Sequence, residues 1–353
     1  MKRILILLLL LPSIIYCSEF QYSYRGPVAA AMGEACIARP DDADAVFYNP
    51  SWLSQVKKPK ISGVLDLGNL ASPALTGAGF YTIGQVELAA GFGMTNFGVL
   101  IGITSNNFIW DRDYGAAEDL DVESVAEGYL ILGFGVNIVK DVFLWGMNFK
   151  YGHESNPFFH MVSQDVLHMF AMDSAFTLRI GDFLNIALVW RDIIKGHFIG
   201  YGTWHDEFGV QQEVSEIYVE FLPVCDLGVA YYASDRVLLT MDLKNIGLYS
   251  PYRLSHYPDL RTGLYYANIS FHTGMEYEII EKTFFLRTGF YAKNEIEVYA
   301  ESPLIVSRVG VSLGVEFMQE ETNVQRIYVV YDFRETYSGF PAIQYCASLA
   351  HIF

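Results

Sequence analysis

Apolar and polar residues alternate with a period of two along most of this chain. In residues 142–152, Phe143, Trp145, Met147, Phe149 and Tyr151 are apolar, and Gly146, Asn148, Lys150 and Gly152 between them are small or polar. Residues 236–246 set Val237, Leu239, Met241 and Leu243 against Thr240, Asp242 and Lys244. Residues 267–280 set Ile269, Phe271, Met275, Tyr277 and Ile279 against Asn268, Ser270, His272, Glu276 and Glu278. Residues 308–318 do the same with Val309, Val311, Leu313, Val315 and Phe317 against Arg308, Ser312 and Glu316. Successive side chains of a strand point to opposite faces, so each segment predicts a strand with one apolar and one wet face.

An antiparallel sandwich buries such an apolar face in a core. A transmembrane barrel turns it outward to lipid and fills its lumen with polar groups. Length separates the two. An 11-residue strand rises about 36 Å and, tilted by about 40°, covers roughly 27 Å, the apolar thickness of a bilayer, whereas globular strands average about 5–6 residues. Tight turns are expected at Thr95-Asn96, Lys140-Asp141, Gly181-Asp182, Ser234-Asp235 and Glu281-Lys282, with long polar connections near 106–125, 153–166, 193–222, 247–265 and 294–307. Short turns alternating with long loops mark an outer-membrane barrel. Strands near 60–69, 85–95, 97–107, 126–139, 141–152, 167–180, 182–192, 223–233, 236–246, 267–280, 282–293, 308–318, 325–334 and 342–353 give an all-β, antiparallel transmembrane barrel of about fourteen strands. Even parity places both chain ends on the periplasmic side and the long loops, with Asp111, His205 and Tyr257, outside. The final strand ends on Phe353, a terminal aromatic that resembles the signal read by the barrel-assembly machinery of two-membraned bacteria.

The N-terminus reads as an export signal. Lys2 and Arg3 precede the apolar run 4–16, and cleavage is expected after Cys17 or Ser18, making 1–18 a signal peptide. The run is shorter than the roughly 20 residues of a membrane anchor. Lipidation of Cys17 is disfavoured because Ile15-Tyr16 precedes it where that processing needs a small residue. Beyond residue 18 no apolar run is long enough for a membrane helix.

Composition sharpens the picture. Charged residues make up 18% and aromatics 15%, and 40 acids against 23 bases give a net charge of −17. That excludes disorder, and it excludes nucleic-acid binding, which needs a basic face. Cys36, Cys225 and Cys346, widely spaced, do not make a disulfide framework.

Residues 19–56 lack the alternation and are rich in small residues. Ala, Gly and Asn-Pro suit a compact plug of short helices and turns, ahead of a barrel over 57–353. Asp41 and Asp42 are placed to cap a helix through Asp44-Ala45-Val46, and Asn49-Pro50 to end it. Met32, Ile37, Val46, Phe47, Tyr48, Trp52 and Leu53 call for burial, which the lumen would supply. The stretch AMGEACIARPDDADAVFYNPSWL resembles the N-terminal signature of the FadL-like outer-membrane transporters. It is nearest to their shorter relatives, the PorV/PorQ proteins of type IX secretion and a spirochaete FadL-like group. Met32, Gly33, Ala35, Asp41, Asp42, Ala43, Tyr48, Asn49, Pro50 and Leu53 match that pattern; Glu34 and Ser51-Trp52 depart from it. The resemblance implies a plug within the lumen and a hydrophobic small-molecule ligand such as a long-chain fatty acid. The PorV-like branch implies instead a barrel without transport, serving as a secretion scaffold or surface docking protein for secretion-system partners.

Other chemistry is weakly supported. Gly310-Val311-Ser312-Leu313-Gly314 matches a nucleophile-elbow pattern but lies inside an alternating strand without the required turn into a helix. The eight histidines are scattered, and the acidic stretch 111–123 lacks the glycine-centred spacing of a calcium loop. His205 and Asp206 are adjacent, an arrangement unsuited to a hydrolase base and its orienting acid. The expectation is therefore no catalytic residue, no metal site and no cofactor. Lys150, Arg179, Arg287 and Lys293 fall on the inward register, as do Asp226, Asp242, Glu276 and Glu316. These charges either pair to fill a narrow lumen or offer a cation to a fatty carboxylate.

Overall fold

The computed structural model describes residues 16–17, 26–39, 44–68, 74–75, 80–111, 120–155, 162–163, 166–205, 211–220, 223–246, 248–249, 269–299, 302–319, 323–334 and 342–352. The expected capping residues Asp41 and Asp42, the terminal Phe353 and nearly all of the export signal lie outside these residues. Tyr16–Cys17 makes a two-residue parallel pairing with Leu248–Tyr249.

The alternating segments are strands. In chain order they are β1 (Lys60–Gly68), β2 (Phe80–Met94), β3 (Phe97–Asp111), β4 (Leu120–Val139), β5 (Phe143–Ser155), β6 (Val166–Ile180) and β7 (Leu184–His205). They continue as β8 (Val224–Ser234), β9 (Val237–Ile246), β10 (Ser270–Ile280), β11 (Phe284–Tyr299), β12 (Ser302–Gln319), β13 (Asn323–Arg334) and β14 (Ala342–Ile352). Each pairs antiparallel with the next, and β14 pairs back onto β1 from Tyr345↔Leu67 to Ile352↔Lys60, so the ladder closes into a barrel. Closure gives every interior strand two partners and removes the exposed edge that an open sheet would carry.

Tight turns stand where the sequence places them, with Asn96, Asp141, Gly181 and Lys282 at positive φ. The long connections differ from expectation. The sequence places a loop over 193–222, yet β7 runs on to His205 and Gln211–Glu220 folds back along it. The connection read at 294–307 is mostly strand too, since β11 and β12 stay paired out to Tyr299↔Ser302. Alternation reports the apolar face alone; where both faces carry polar residues it fades, although backbone pairing goes on.

Parity sorts the side chains. On β5, Leu144, Gly146, Asn148 and Lys150 are buried inside, and Phe149 on the other face is 49% exposed. Leu88, Ile101, Ile103, Phe170, Met241, Phe271 and Leu313 are likewise exposed on the outside. The apolar faces thus form the barrel's exterior, the reverse of a sandwich core. Inside, residues 26–39 and 44–56 are packed against the wall: Met32, Ile37, Val46, Asn49 and Leu53 are each 0% exposed.

Candidate functional site

The N-terminal segment has little regular structure of its own. α1 (Pro27–Ala31) starts on a proline, which is preorganised for a first helical position. It ends in a turn where Gly33 and Glu34 both have positive φ, +62° and +64°. A side chain at Gly33 would also press on the backbone of Phe290, 2.6 Å from its nitrogen. α2 (Ala45–Tyr48) has Asp44 at its N-cap position without a side-chain capping bond. Asn49 ends it, and its Oδ1 accepts from Ser51 N at 3.1 Å, capping the 3-10 turn Pro50–Gln55. Asn-Pro therefore closes one helix and opens the next, because Asn caps well and Pro restricts the residue before it.

The wall reads this segment mainly through its backbone. Ser312 Oγ accepts from Gly33 N and donates to Ala31 O, both at 2.9 Å. His272 Nδ1 lies 2.8 Å from Gly33 O, a carbonyl that can only accept, so Nδ1 carries the proton there; Nε2 lies 2.9 Å from Ser270 Oγ. Asp242 Oδ2 accepts from Ile37 N at 3.0 Å. Asn148 Nδ2 donates to Val46 O at 2.8 Å, and Asn96 N donates to Leu53 O at 2.9 Å. Asn49 ties the parts together: Nδ2 donates to Ile37 O at 2.8 Å and to Thr177 Oγ1 at 2.9 Å. Tyr48 Oη accepts from Gly26 N at 3.2 Å. Burial raises the Tyr48 phenol and the Cys36 thiol well above their ordinary pKa values, so both are neutral packing groups.

Close approach is made possible by inward-facing glycines. A Cβ on Gly146 would stand 2.4 Å from Pro50 C and Ser51 N, and one on Gly289 would stand 2.1 Å from Gly33 N. Gly135 meets the carbonyl of Pro50, and Gly98 and Gly133 meet Leu53 and Val46 side chains.

Charges fill the remaining interior in pairs. Lys150 Nζ lies 2.7 Å from Asp173 and 2.9 Å from Asp192. Arg191 Nε lies 2.5 Å from Asp226 and its Nη1 3.5 Å from Asp173. Arg287 bridges Glu276 at 2.6 Å and Glu316 at 2.9 Å, and Glu276 also takes Arg39 at 2.9 Å. Arg179 donates to Gln55 Oε1 at 3.1 Å and stands over the Trp52 ring. Buried ions of this kind are tolerated only when paired, and removing one partner strands the other.

Of the residues named from sequence, Lys150, Arg179 and Arg287 face inward, and Met32, Gly33, Tyr48, Asn49 and Pro50 all contact the wall or brace one another. Lys293 lies on β11 opposite Arg308; its side chain is outside the described residues. The structure gathers Asp226, Asp242, Glu276 and Glu316 inside as well. Sequence reasoning missed Asp173, Thr177, Arg191, Asp192 and the anchoring roles of Asn148, His272 and Ser312. One signal was present: Arg191-Asp192 sets two charges side by side in an otherwise alternating strand.

No protein-family model matches the chain, and no curated protein matches its sequence. Solved structures do match its fold. The Pseudomonas putida toluene transporter TodX superposes with a TM-score of 0.60 at 11% identity, over 96% of this chain and 99% of that one. The Ralstonia pickettii toluene transporter TbuX gives 0.60 at 12% identity, over 95% and 99%. A Pseudomonas aeruginosa FadL homologue gives 0.60 at 10% identity, over 96% and 99%. At these identities the likeness speaks for the fold, and it extends across nearly the full length of each partner. The chain has the fold of the FadL-like outer-membrane transporters that its N-terminal motif resembles.

Proposed function

We propose that this chain is an outer-membrane channel for hydrophobic small molecules, with residues 19–56 as its plug and 57–353 as its barrel. The observation that carries the proposal is the N-terminal segment held inside a barrel whose fold is shared with toluene transporters. The apolar exterior supports the membrane setting, because exposed apolar surface on this scale needs lipid as its solvent. Residues 1–18 direct export, Phe353 serves the barrel-assembly machinery, and the long-loop end faces outward. Long-chain fatty acids are the ligand class named by the sequence resemblance, and monoaromatic hydrocarbons the class named by the neighbours. A fatty carboxylate would need a cation, with Lys150, Arg179, Arg287 and Lys293 as the candidates.

The test is entry of label into proteoliposomes whose outer leaflet carries lipopolysaccharide, with a long-chain fatty acid in one arm and toluene in the other. Entry severalfold faster than into protein-free liposomes in either arm supports the channel and names its ligand class. Equal rates in both arms contradict it.

One observation favours the PorV-like alternative. Lys150 and Arg287 are each held by two carboxylates, and Arg179 by the plug, so these candidate cations are already engaged. A lumen sealed in this way suits a scaffold that docks secretion partners without conducting a ligand. Failure of the uptake assay would leave that reading in place.

A further inference from the structure

The register of β7 against β6 shifts between Trp190 and Ile194 and again between Ile194 and His197, and the first shift carries the charges. Trp190 pairs with Ser174 and Ile194 with Met172, so Asp173 of β6 stands opposite three residues, Arg191, Asp192 and Ile193. A similar break lies two strands away. Cys225 pairs with Ile246 and Leu227 with Leu243, so Asp226 of β8 stands opposite Lys244 and Asn245. Asp192 and Asn245 have φ of +52° and +57°. The other described non-glycine residues at positive φ, Glu34, Asn96, Asp141 and Lys282, all sit in turns, where that conformation is common. Inside strands it is strained, and strained bulges persist only where their surroundings fix them.

The two bulges are built alike. Asp192 N donates to Asp173 Oδ1 and Asn245 N donates to Asp226 Oδ1, each at 2.9 Å. Each bulge thus orients one wall aspartate, and Arg191 lies between the two, reaching Asp226 at 2.5 Å and Asp173 at 3.5 Å. Lys150 holds Asp173 and Asp192 from the far side. What remains of the guanidinium points at the plug. Nη1 lies 3.3 Å from Phe47 O and Nη2 3.5 Å from Tyr48 O, the last carbonyls of α2, and Cζ stands 5.8 Å over the Phe47 ring. The contact to Asp226 is short and those to Asp173, Phe47 O and Tyr48 O are long, so Asp226 fixes the arginine and the plug rests on its far end.

We propose that the paired bulges form a latch, in which Arg191, preset by Asp173 and Asp226, holds the end of α2 against the wall and releases it without disturbing the strand ladder. A buried ion cluster adds little net stability over an apolar core, and its best-attested use is to select one arrangement over another. Here the arrangement selected is the docked plug. No bound ligand is needed, so the proposal stands or falls separately from transport.

The test is hydrogen exchange of the full-length protein in detergent, comparing wild type with Arg191→Gln and Arg191→Lys. Heat-modifiable migration on gels reports whether the barrel is closed. In Arg191→Gln, amides of residues 45–49 should exchange about ten- to a hundredfold faster while those of β3–β6 keep their protection. Arg191→Lys keeps the charge beside Asp226 but lacks the fork that spans wall and plug, so it should loosen the same amides to a smaller degree with the barrel intact. Unchanged exchange at 45–49 in both variants would overturn the latch. Failure of both variants to form a heat-modifiable barrel would overturn it too, by assigning Arg191 to wall closure.

Discussion

The two halves of the N-terminal segment, residues 26–39 and 45–56, meet the wall by different chemistry. Residues 26–39 bring charges of their own: Arg39 pairs with Glu276 at 2.9 Å, and Glu34 lies 3.9 Å from both Lys244 and His272. Residues 45–56 contain no charged side chain at all. They are seated sterically, with Pro50, Ser51 and Leu53 against wall glycines, and held by neutral amides and hydroxyls from Asn148, Thr177 and Asn96. An ion pair can exchange its partner for water or another ion with little motion of the wall. A backbone packed onto a glycine cannot move closer or rotate without displacing the strand beneath. The difference teaches that both halves are seated by shape on wall glycines, that the first adds ion pairs of its own, and that the second takes its charged contacts from the wall, from Arg191 and Arg179.

The strongest way to break this comparison is to fill the seats. Gly146→Ala sets a methyl 2.4 Å from Pro50 C and should expel the second half, and Gly289→Ala, 2.1 Å from Gly33 N, should expel the first. Overpacking of this kind typically costs about 1–3 kcal/mol. Limited proteolysis should then cut near the expelled half alone. Cleavage of both halves in either variant would mean that the plug is one unit and that the distinction fails.

A smaller effect is expected where the halves are joined. Asn49→Ala removes the donor to Ile37 O and the cap on Ser51 N, leaving buried groups unpaired at about 1–3 kcal/mol. Amide exchange should rise in both halves, which makes this variant the control for single-half effects. A rise confined to 50–55 would show that the link to Ile37 carries no strength.

Smallest of all is Arg39→Ala. Arg287 remains to pair Glu276, so no buried carboxylate is stranded and the loss should be about 1 kcal/mol. Exchange at 33–37 should quicken severalfold and grow less sensitive to salt, with 45–54 unchanged. Equal loosening of the second half would contradict the separation.

Much of this architecture can be read from the chain because the side-chain period of a strand is two. Phe149 and Lys150 are neighbours with opposite fates, and parity alone assigns one to the outside and the other to the lumen. Parity holds only while the register does. Counting from Asn185 and Val189 places Arg191 inside and Asp192 outside, yet the bulge turns both inward; the adjacent charges hint at the break, and the pairing pattern places it. The glycine seats escape for another reason: Gly133, Gly135 and Gly146 read as ordinary small inward residues, and their meaning depends on Val46, Pro50 and Ser51, far away in sequence. The plug motif gives the opposite case. Asn49-Pro50 announces a helix end locally; the structure uses both residues to start the next turn, and Asn49 also binds Thr177 of the wall.

The most direct measurement is ligand entry into proteoliposomes for wild type and the double variant Asn49→Ala, Pro50→Ala, each confirmed as a heat-modifiable barrel. The variant loses the turn and the buried amide that hold the plug together, while the strand ladder is closed independently of it. If a plug in the lumen controls passage of hydrophobic molecules, wild type should exceed protein-free liposomes and the variant should change that rate severalfold. Identical entry in wild type, variant and protein-free liposomes would contradict the account.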